Sequence, residues 1–285
     1  MTTRRNFIAL TGAAMTLPLA APVQAAIARP QVTQIRNATL WIDYAGTRFL
    51  VDPMLADRYA FPGFPGTANS ELRNPAGYLP FPVDEIIKVD AVILTHLHED
   101  HWDKPAQDAL PKDVPVFVQN QADAEILHDQ GFTDVRVLAG SADFNGVTLT
   151  RTEGTHGTPA AIAAAGDLLG QVMGVAFAAE GQPVIYLAGD TIWNQQVRDA
   201  LDTHRPEVVI LNAGYAMLPG VGPIIMGAED VKAVADAAPN ATLIATHMES
   251  VNHCILTRAE LRSFARQNGF ADRLYVPGDG QMIQL

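Results

Sequence analysis

Short apolar runs recur along this chain, and many stop at a single polar residue. VDAVILTH (89–96) and EVVILNAG (207–214) carry unbroken branched apolar blocks, the pattern of strands buried on both faces. PVFV (115–118), VRVL (135–138), GVTLTRTEG (146–154), QVMGVAFAAEG (171–181), PVIYLAGD (183–190) and TLIATH (242–247) predict further strands. Residues 38–44 and 47–52 predict a hairpin about the turn Ala45-Gly46. Helical spacing of apolar residues predicts an amphipathic helix over 122–131, stopped by Gly131, and further helices near 194–204, 228–238 and 257–268. Residues 53–83, rich in proline, glycine and aromatics, have no clean period. They predict a long loop, and long ordered loops tend to lie over functional sites.

Strands in meanders first, then strands alternating with helices, predict an α+β chain of packed sheets with helices outside. The competing architecture is a doubly wound dinucleotide-binding fold. Its glycine fingerprint is missing: Gly166, Gly170 and Gly174 are spaced four apart and precede a strand.

Composition narrows the function classes. A 48% hydrophobic content supports a sizeable core, and a formal charge of −12 argues against a nucleic-acid partner. The single cysteine, Cys254, allows neither an intrachain disulfide nor a cysteine zinc cluster. MTTRRN, the apolar FIALTGAAMTLPLAAPV and the small-residue site Val23-Gln24-Ala25 resemble a twin-arginine export signal. The expected organisation is therefore a signal peptide over 1–25, with Arg4-Arg5 as its pair, and a catalytic domain over 26–285. The mature protein is expected in the periplasm, without a membrane anchor. The sequence leaves the oligomeric state open.

Candidate chemistry concentrates in THLHEDHWD (95–103), which holds three of the eight histidines and three carboxylates. Alternation along an extended chain turns His96 and His98 to one side, and Asp100 and His101 follow where the chain must turn. Imidazole with carboxylate suits Zn, Mn or Fe better than Ca or Mg. A bare His-x-His is more often a polar loop; His-x-His-x-Asp-His after an apolar strand is far more specific. Three more candidates end apolar strands among small residues: His156 in EGTHGT, Asp190 in LAGDT and His247 in ATHME. Each alone reads as an ordinary loop residue, but together they would converge on one edge of a sheet sandwich.

THLHEDH, GTHG, AGDT and ATH, in that order, resemble the metallo-β-lactamase superfamily over roughly residues 35–285. WIDYAGTRFLVDPML, LNAGYAML and IIMGAED look most like its ascorbate-6-phosphate lactonase-like branch. The resemblance implies a four-layer αββα sandwich with a one- or two-metal site at one sheet edge. It implies His96, His98 and His156 on a first metal, and Asp100, His101 and His247 on a second, with Asp190 bridging. Zinc is the first expectation, with manganese or iron as alternatives.

Two divalent ions ~3.5–4 Å apart can share a hydroxide that attacks a carbonyl carbon or phosphorus. Asp100 and Asp190 are then the catalytic carboxylates, and the expected function is hydrolysis of a small lactone, ester, amide or phosphoester. Tyr215, Trp193, Asn194 and Glu249 follow ligand-bearing or strand-end segments and are candidate substrate contacts, set against plain packing roles. His253 and Cys254 lack an orienting third group for a nucleophilic pair, and His128 and His204 fall on predicted helices as surface residues. No Gly-x-Ser-x-Gly is present, which argues against a serine hydrolase. Alternatives are a di-iron redox protein, disfavoured by His98 where such proteins typically place a carboxylate, and a non-catalytic metal-binding module.

Overall fold

The computed structural model describes residues 29–285; the export signal expected over 1–25 lies outside them. The first sheet is built from β1 (Gln31–Arg36), β2 (Thr39–Tyr44), β3 (Thr47–Val51), β4 (Ala91–Ile93), β5 (Val116–Val118) and β6 (Val135–Val137). The second uses β7 (Ser141–Phe144), β8 (Val147–Glu153), β9 (Met173–Ala178), β10 (Ile185–Leu187) and β11 (Val208–Asn212). A small hairpin, β12 (Met217–Leu218) with β13 (Gly222–Pro223), precedes β14 (Thr242–Thr246) and β15 (Leu274–Tyr275), which complete the second sheet. The last strand, β16 (Met282–Gln284), returns to the first sheet beside β1. The sheet orders are β16-β1-β2-β3-β4-β5-β6 and β15-β14-β11-β10-β9-β8-β7.

Period-two alternation sorts each strand's side chains into two layers. Phe49, Val51 and Ile93 from the first sheet meet Val175, Phe177, Ile210 and Ile244 from the second in a central core. Leu50 and Val92 point the other way, onto α1 (Val83–Ile86), α2 (Lys104–Ala109) and α3 (Gln121–Asp129). Val209, Leu211 and Leu243 likewise point outward, beneath α5 (Gln195–His204), α6 (Ala228–Ala237) and α7 (Arg258–Gln267); α4 (Pro159–Leu169) is treated below. The result is the expected α+β sandwich of layers αββα. Phe177 is wholly buried between the sheets, and truncating such a ring costs ~3–5 kcal/mol.

Strands β3 to β6 run parallel to one another, as do β10, β11, β14 and β15. The carboxyl ends of such parallel strands are where open α/β sheets hold their ligands. Here they deliver Asp52 after β3, Thr95 and His96 after β4, Asp190 after β10, Asn212 at the end of β11 and His247 after β14.

Several elements differ from the sequence expectation, among them helices α1 and α2 and strand β7, which were not expected. Strand β4 stops at Ile93, so Leu94, Thr95 and His96 lie beyond the ladder and are free to turn. Strand β1 pairs between β16 and β2, although its polar QVTQIR gave no strong apolar signal. Helix α4 was not expected, and the strand predicted over 171–181 is shortened to β9. Thr158 caps α4 by accepting from the Ala161 N–H, Pro159 opens it, and Gly170 at φ 65° closes it. The helix is kinked at Ala165.

Residues 53–82 form the expected irregular segment, and side chains from elsewhere pin it. The buried Arg36 donates to the carbonyls of Met54, Ala56 and Gly77. Asn252 accepts from the Phe64 N–H and Asn74 Nδ2, and donates to Thr67 Oγ1 and the Ala68 carbonyl. The bonds to the buried Met54 and Ala56 satisfy carbonyls cut off from solvent.

Candidate metal centre

All seven side chains expected as ligands meet at one edge of the sandwich. Donor atoms of His96, His98 and His156 lie within 4.8 Å of one another, as do those of His96, His101 and Asp190, and of Asp100, His101 and His247. Asp190 Oδ2 sits in the middle: 3.9 Å from His96 Nε2, 3.5 Å from His156 Nε2, 3.2 Å from His101 Nε2 and 3.6 Å from His247 Nε2. One oxygen thus faces both histidine groups. Its twin, Oδ1, accepts a 2.6 Å bond from Asn212 Nδ2, which fixes the carboxylate's rotation.

The far side of each imidazole is tied down. His96 Nδ1 lies 3.1 Å from Thr95 Oγ1, and His101 Nδ1 lies 2.9 Å from Asp52 Oδ2. His156 Nδ1 donates to the carbonyl of Ile224 at 2.9 Å, and His98 Nε2 to that of Leu168 at 3.0 Å. His247 Nδ1 lies 3.4 Å from Cys254 Sγ. Partners of this kind orient a metal-binding histidine and set which nitrogen offers its lone pair. The inward nitrogens crowd together, with His96 Nε2 2.9 Å from His98 Nδ1 and His101 Nε2 3.0 Å from His247 Nε2. Five imidazoles and two carboxylates with their inward donor atoms this close make a donor set that fits divalent metal.

Backbone strain supports the arrangement. His247 has φ 58°, a left-handed conformation uncommon for histidine, and its N–H is held by the Asn37 carbonyl. Gly189, before Asp190, has φ 69°, and a Cβ there would lie 2.5 Å from the Met173 carbonyl oxygen, so only glycine fits.

Electrostatics divide the cluster. Burial pushes His96 well below the usual histidine range, helped by His101 and His98, and burial brings His156 down to about 4 against the pull of Asp190. Burial also opposes charge on His101 and His247, but there the carboxylates win. Asp190, Asp100 and Asp52 raise His101 to about 10, and Asp190, with Cys254 and Asp100, raises His247 well above its usual value. Burial opposes ionisation of Asp100 and Asp190 too, yet the neighbouring imidazoles, His101 first, hold both carboxyls well below the usual range.

The four proposed substrate contacts are engaged as follows. The Tyr215 ring packs on Gly227 at the start of α6, where a Cβ would lie 2.4 Å from the ring. Trp193 lies under the Arg198 guanidinium, 4.4 Å from it. Asn194 caps α5 by accepting from the Val197 N–H, and also borders a cleft of about 500 Å³ with Thr155, Gly157, Pro159, Ile162 and Ile192. Glu249 accepts from the Arg258 guanidinium and main chain. His128 is exposed and His204 is half-buried.

Sequence reading missed the supports. Asp52 is buried and binds the Thr95 N–H and hydroxyl as well as His101. Asn37 Nδ2 donates to the Asp100 carbonyl, and Asn212 holds Asp190. Asp52 and Asn212 carry the very signal that exposed Asp190, a lone polar residue ending an apolar strand. Cys254, set aside with His253 as a nucleophilic pair, packs on His247 instead.

This sandwich with a histidine and aspartate cluster at its edge defines a metallo-β-lactamase-fold, metal-dependent hydrolase. Residues 47–248 match the beta-lactamase superfamily domain, and the chain belongs to that superfamily, within its UPF0173 family of metal-dependent hydrolases. It is 43% identical to the UPF0173 protein YddR of Bacillus subtilis over 251 residues, covering 88% of this chain and 98% of that one. Among solved structures it is similar to an isothiocyanate hydrolase from Delia radicum gut bacteria (47% identity, TM-score 0.87, 90% of this chain and 99% of that one). It is also similar to a possible metal-dependent hydrolase from Veillonella parvula (44% identity, TM-score 0.89, 90% and 100%).

Proposed function

We propose that the protein is an exported binuclear hydrolase that cleaves small, uncharged, largely apolar molecules at an electrophilic carbon, isothiocyanates first among them. The observation that carries this is the position of Asp190 Oδ2, facing His96 and His156 on one side and His101 and His247 on the other. His96, His98 and His156 would hold one cation, Asp100, His101 and His247 a second, and Asp190 would be shared. Zinc suits this set first, with manganese or iron as alternatives. Bound divalent cations would lower the pKa of a coordinated water toward about 7 and act as Lewis acids.

The residues around the centre supply the rest. Asp100 Oδ2, 3.2 Å from His247 Nε2, is placed to take up the proton of the attacking water. Met54, Leu169, Ile224, Val251 and Cys254 form a buried apolar cluster against the site, with Phe61 and Phe64 partly buried on it. Such a wall excludes water and favours an apolar substituent. Among the described residues, no lysine or arginine bonds to any of the seven side chains. A phosphorylated lactone, the substrate type of the ascorbate-6-phosphate lactonase-like branch, would call for a cation within reach of its phosphate, whereas the wall described here is apolar. The identity to an isothiocyanate hydrolase therefore weighs more here than the branch resemblance. In the reaction, one water adds across the substrate's C=N bond and the C–N bond then breaks. Oxygen stays on carbon and both hydrogens end on nitrogen, giving an amine and carbonyl sulfide.

The test is a panel of isothiocyanates, lactones, phosphodiesters and β-lactams, assayed with metal-reconstituted mature protein alongside metal analysis. Amine release from isothiocyanates with two equivalents of metal is the expected result. No turnover across the panel, or activity saturating at one equivalent, would refute the binuclear reading. Export is tested separately: replacing Arg4 and Arg5 together by lysine should leave the protein in the cytoplasm.

A further inference from the structure

We infer that His253, which none of the three donor groups needs, contacts the substrate and donates a hydrogen bond to the heteroatom where negative charge gathers. The inference rests on the hydrolase reading above. His253 is 7% exposed, and burial brings its imidazole down to about 4, so the ring is neutral near pH 7. His253 precedes the buried Cys254, whose Sγ lies 3.4 Å from His247 Nδ1, and so sits next to a residue that packs on the centre. Its Nδ1 is shut off from solvent and has no hydrogen-bond partner. A buried donor without a partner is rarer than a buried acceptor without one, so the proton belongs on Nε2. Among the described residues no group of the protein bonds that Nε2–H, and it is the ring's remaining polar atom.

The surroundings hold the ring in place. Phe64 packs edge-on against it, with ring centroids 5.1 Å apart. Phe64 itself is fixed through its N–H by the side chain of Asn252, the preceding residue of the His253 segment. The His253 carbonyl accepts from the Met217 N–H. An imidazole fixed at both ring and backbone, with one free N–H beside a metal centre, is a preorganised donor. It gives most where charge develops during the reaction, as when water adds to an isothiocyanate carbon.

The test compares wild type with His253→Phe, which keeps a ring against Phe64, and His253→Gln, which keeps an amide donor. All three are loaded with zinc and assayed on an isothiocyanate. Metal content and thermal stability are measured on the same samples, and affinity for thiocyanate, a linear N–C–S anion, by titration. For His253→Phe we expect kcat to fall ~10²–10³-fold, the loss typical of one missing donor to developing charge. KM should change less than kcat, thiocyanate should bind more weakly, and metal content should stay at the wild-type value. His253→Gln should recover part of the loss. Wild-type kcat in His253→Phe would overturn the assignment, and so would loss of a metal equivalent or an unfolded protein in both variants, since these mark a ligand or a structural residue. Inactive zinc-loaded wild type would instead overturn the hydrolase reading, and this inference with it.

Discussion

On one side of Asp190 stand His96, His98 and His156; on the other stand Asp100, His101 and His247, with Asp52 behind them. The first group is imidazole only. Burial keeps His96 and His156 deprotonated near neutral pH, so their lone pairs are already available. The second group is rich in carboxylate and holds protons on His101 and His247 in the absence of metal. The groups also differ in support. His101 rests on a buried carboxylate, Asp52, whereas His98 is half-buried and rests on a main-chain carbonyl at the end of α4. One half is ready to bind but has the less buried His98 among its ligands; the other is buried throughout but must release protons first. Such a pair should load its two cations with different pH dependence and different exchange rates.

The largest effect should come from removing what the halves share. Asp190→Ala is expected to abolish two-metal occupancy and hydrolysis, beyond the ~10³-fold loss of a single missing oxyanion donor. The fold should survive, because the core between the sheets does not involve Asp190. Circular dichroism, metal analysis and turnover on one sample check this, and wild-type activity in the variant would sink the shared-carboxylate mechanism.

The next effect is proton release. His101 is raised to about 10 and His247 also lies well above the usual histidine value, so below those values each proton competes with metal. Affinity at the second half should therefore rise with pH, by about 100-fold per unit while two protons are displaced, and less steeply once pH passes His101 near 10. At the first half His96 and His156 have few protons to release near neutral pH, since burial holds both below the usual histidine range. Calorimetric titration in buffers of different ionisation heat separates the two. Equal proton release for both equivalents would contradict the division drawn here.

How much of this was legible in the sequence follows the same line. His96, Asp190 and His247 could be read because each follows an apolar strand, after VILT, YLAG and LIAT, and His98, Asp100 and His101 because they share one short string with His96. Packed sheets with helices outside were legible from strands in meanders followed by strands alternating with helices, and the structure sorts Phe49 and Val51 to the inner layer and Leu50 to the outer. The supports were not. Asp52 meets His101 across 49 positions and Asn37 meets Asp100 across 63, distances that no local period encodes. Helix α4 escaped for a different reason. Its alanines and Gly166 give no two-sided pattern, although its Thr-Pro start and Gly170 stop are ordinary helix signals. His253 escaped because a histidine following asparagine in an irregular segment looks like any loop residue until Phe64 is seen against it.

The support behind His101 predicts an intermediate effect. Asp52→Asn keeps the shape but removes the negative charge facing His101 Nδ1 and Thr95. Loss of such a partner typically costs 10–100-fold in metal affinity or activity, and here it should fall on the second equivalent alone. Competition with a chelator, followed for each equivalent, would show it. Equal weakening of both would mean that Asp52 acts through the fold and not through His101.

The smallest effect tests the half that holds His98. His98 bonds the Leu168 carbonyl, while the Leu168 side chain is 74% exposed. If the main chain alone orients His98, Leu168→Ala should change metal affinity by no more than about 0.5 kcal/mol, the usual range for a surface substitution. Gly170→Ala attacks the same support through the backbone. A Cβ there meets nothing within 4 Å, so steric contact cannot account for any loss, and only the left-handed φ of 65° opposes it. Relieving that conformation would unwind the last turn of α4, at a cost of roughly 1 kcal/mol, and shift the carbonyl that holds His98. The first equivalent should then exchange about fivefold faster, a factor within what 1 kcal/mol supplies, while the second stays as it was. Stopped-flow chelation of both variants gives the comparison, and a Leu168→Ala protein that loses metal faster than Gly170→Ala would remove α4's main chain from the argument.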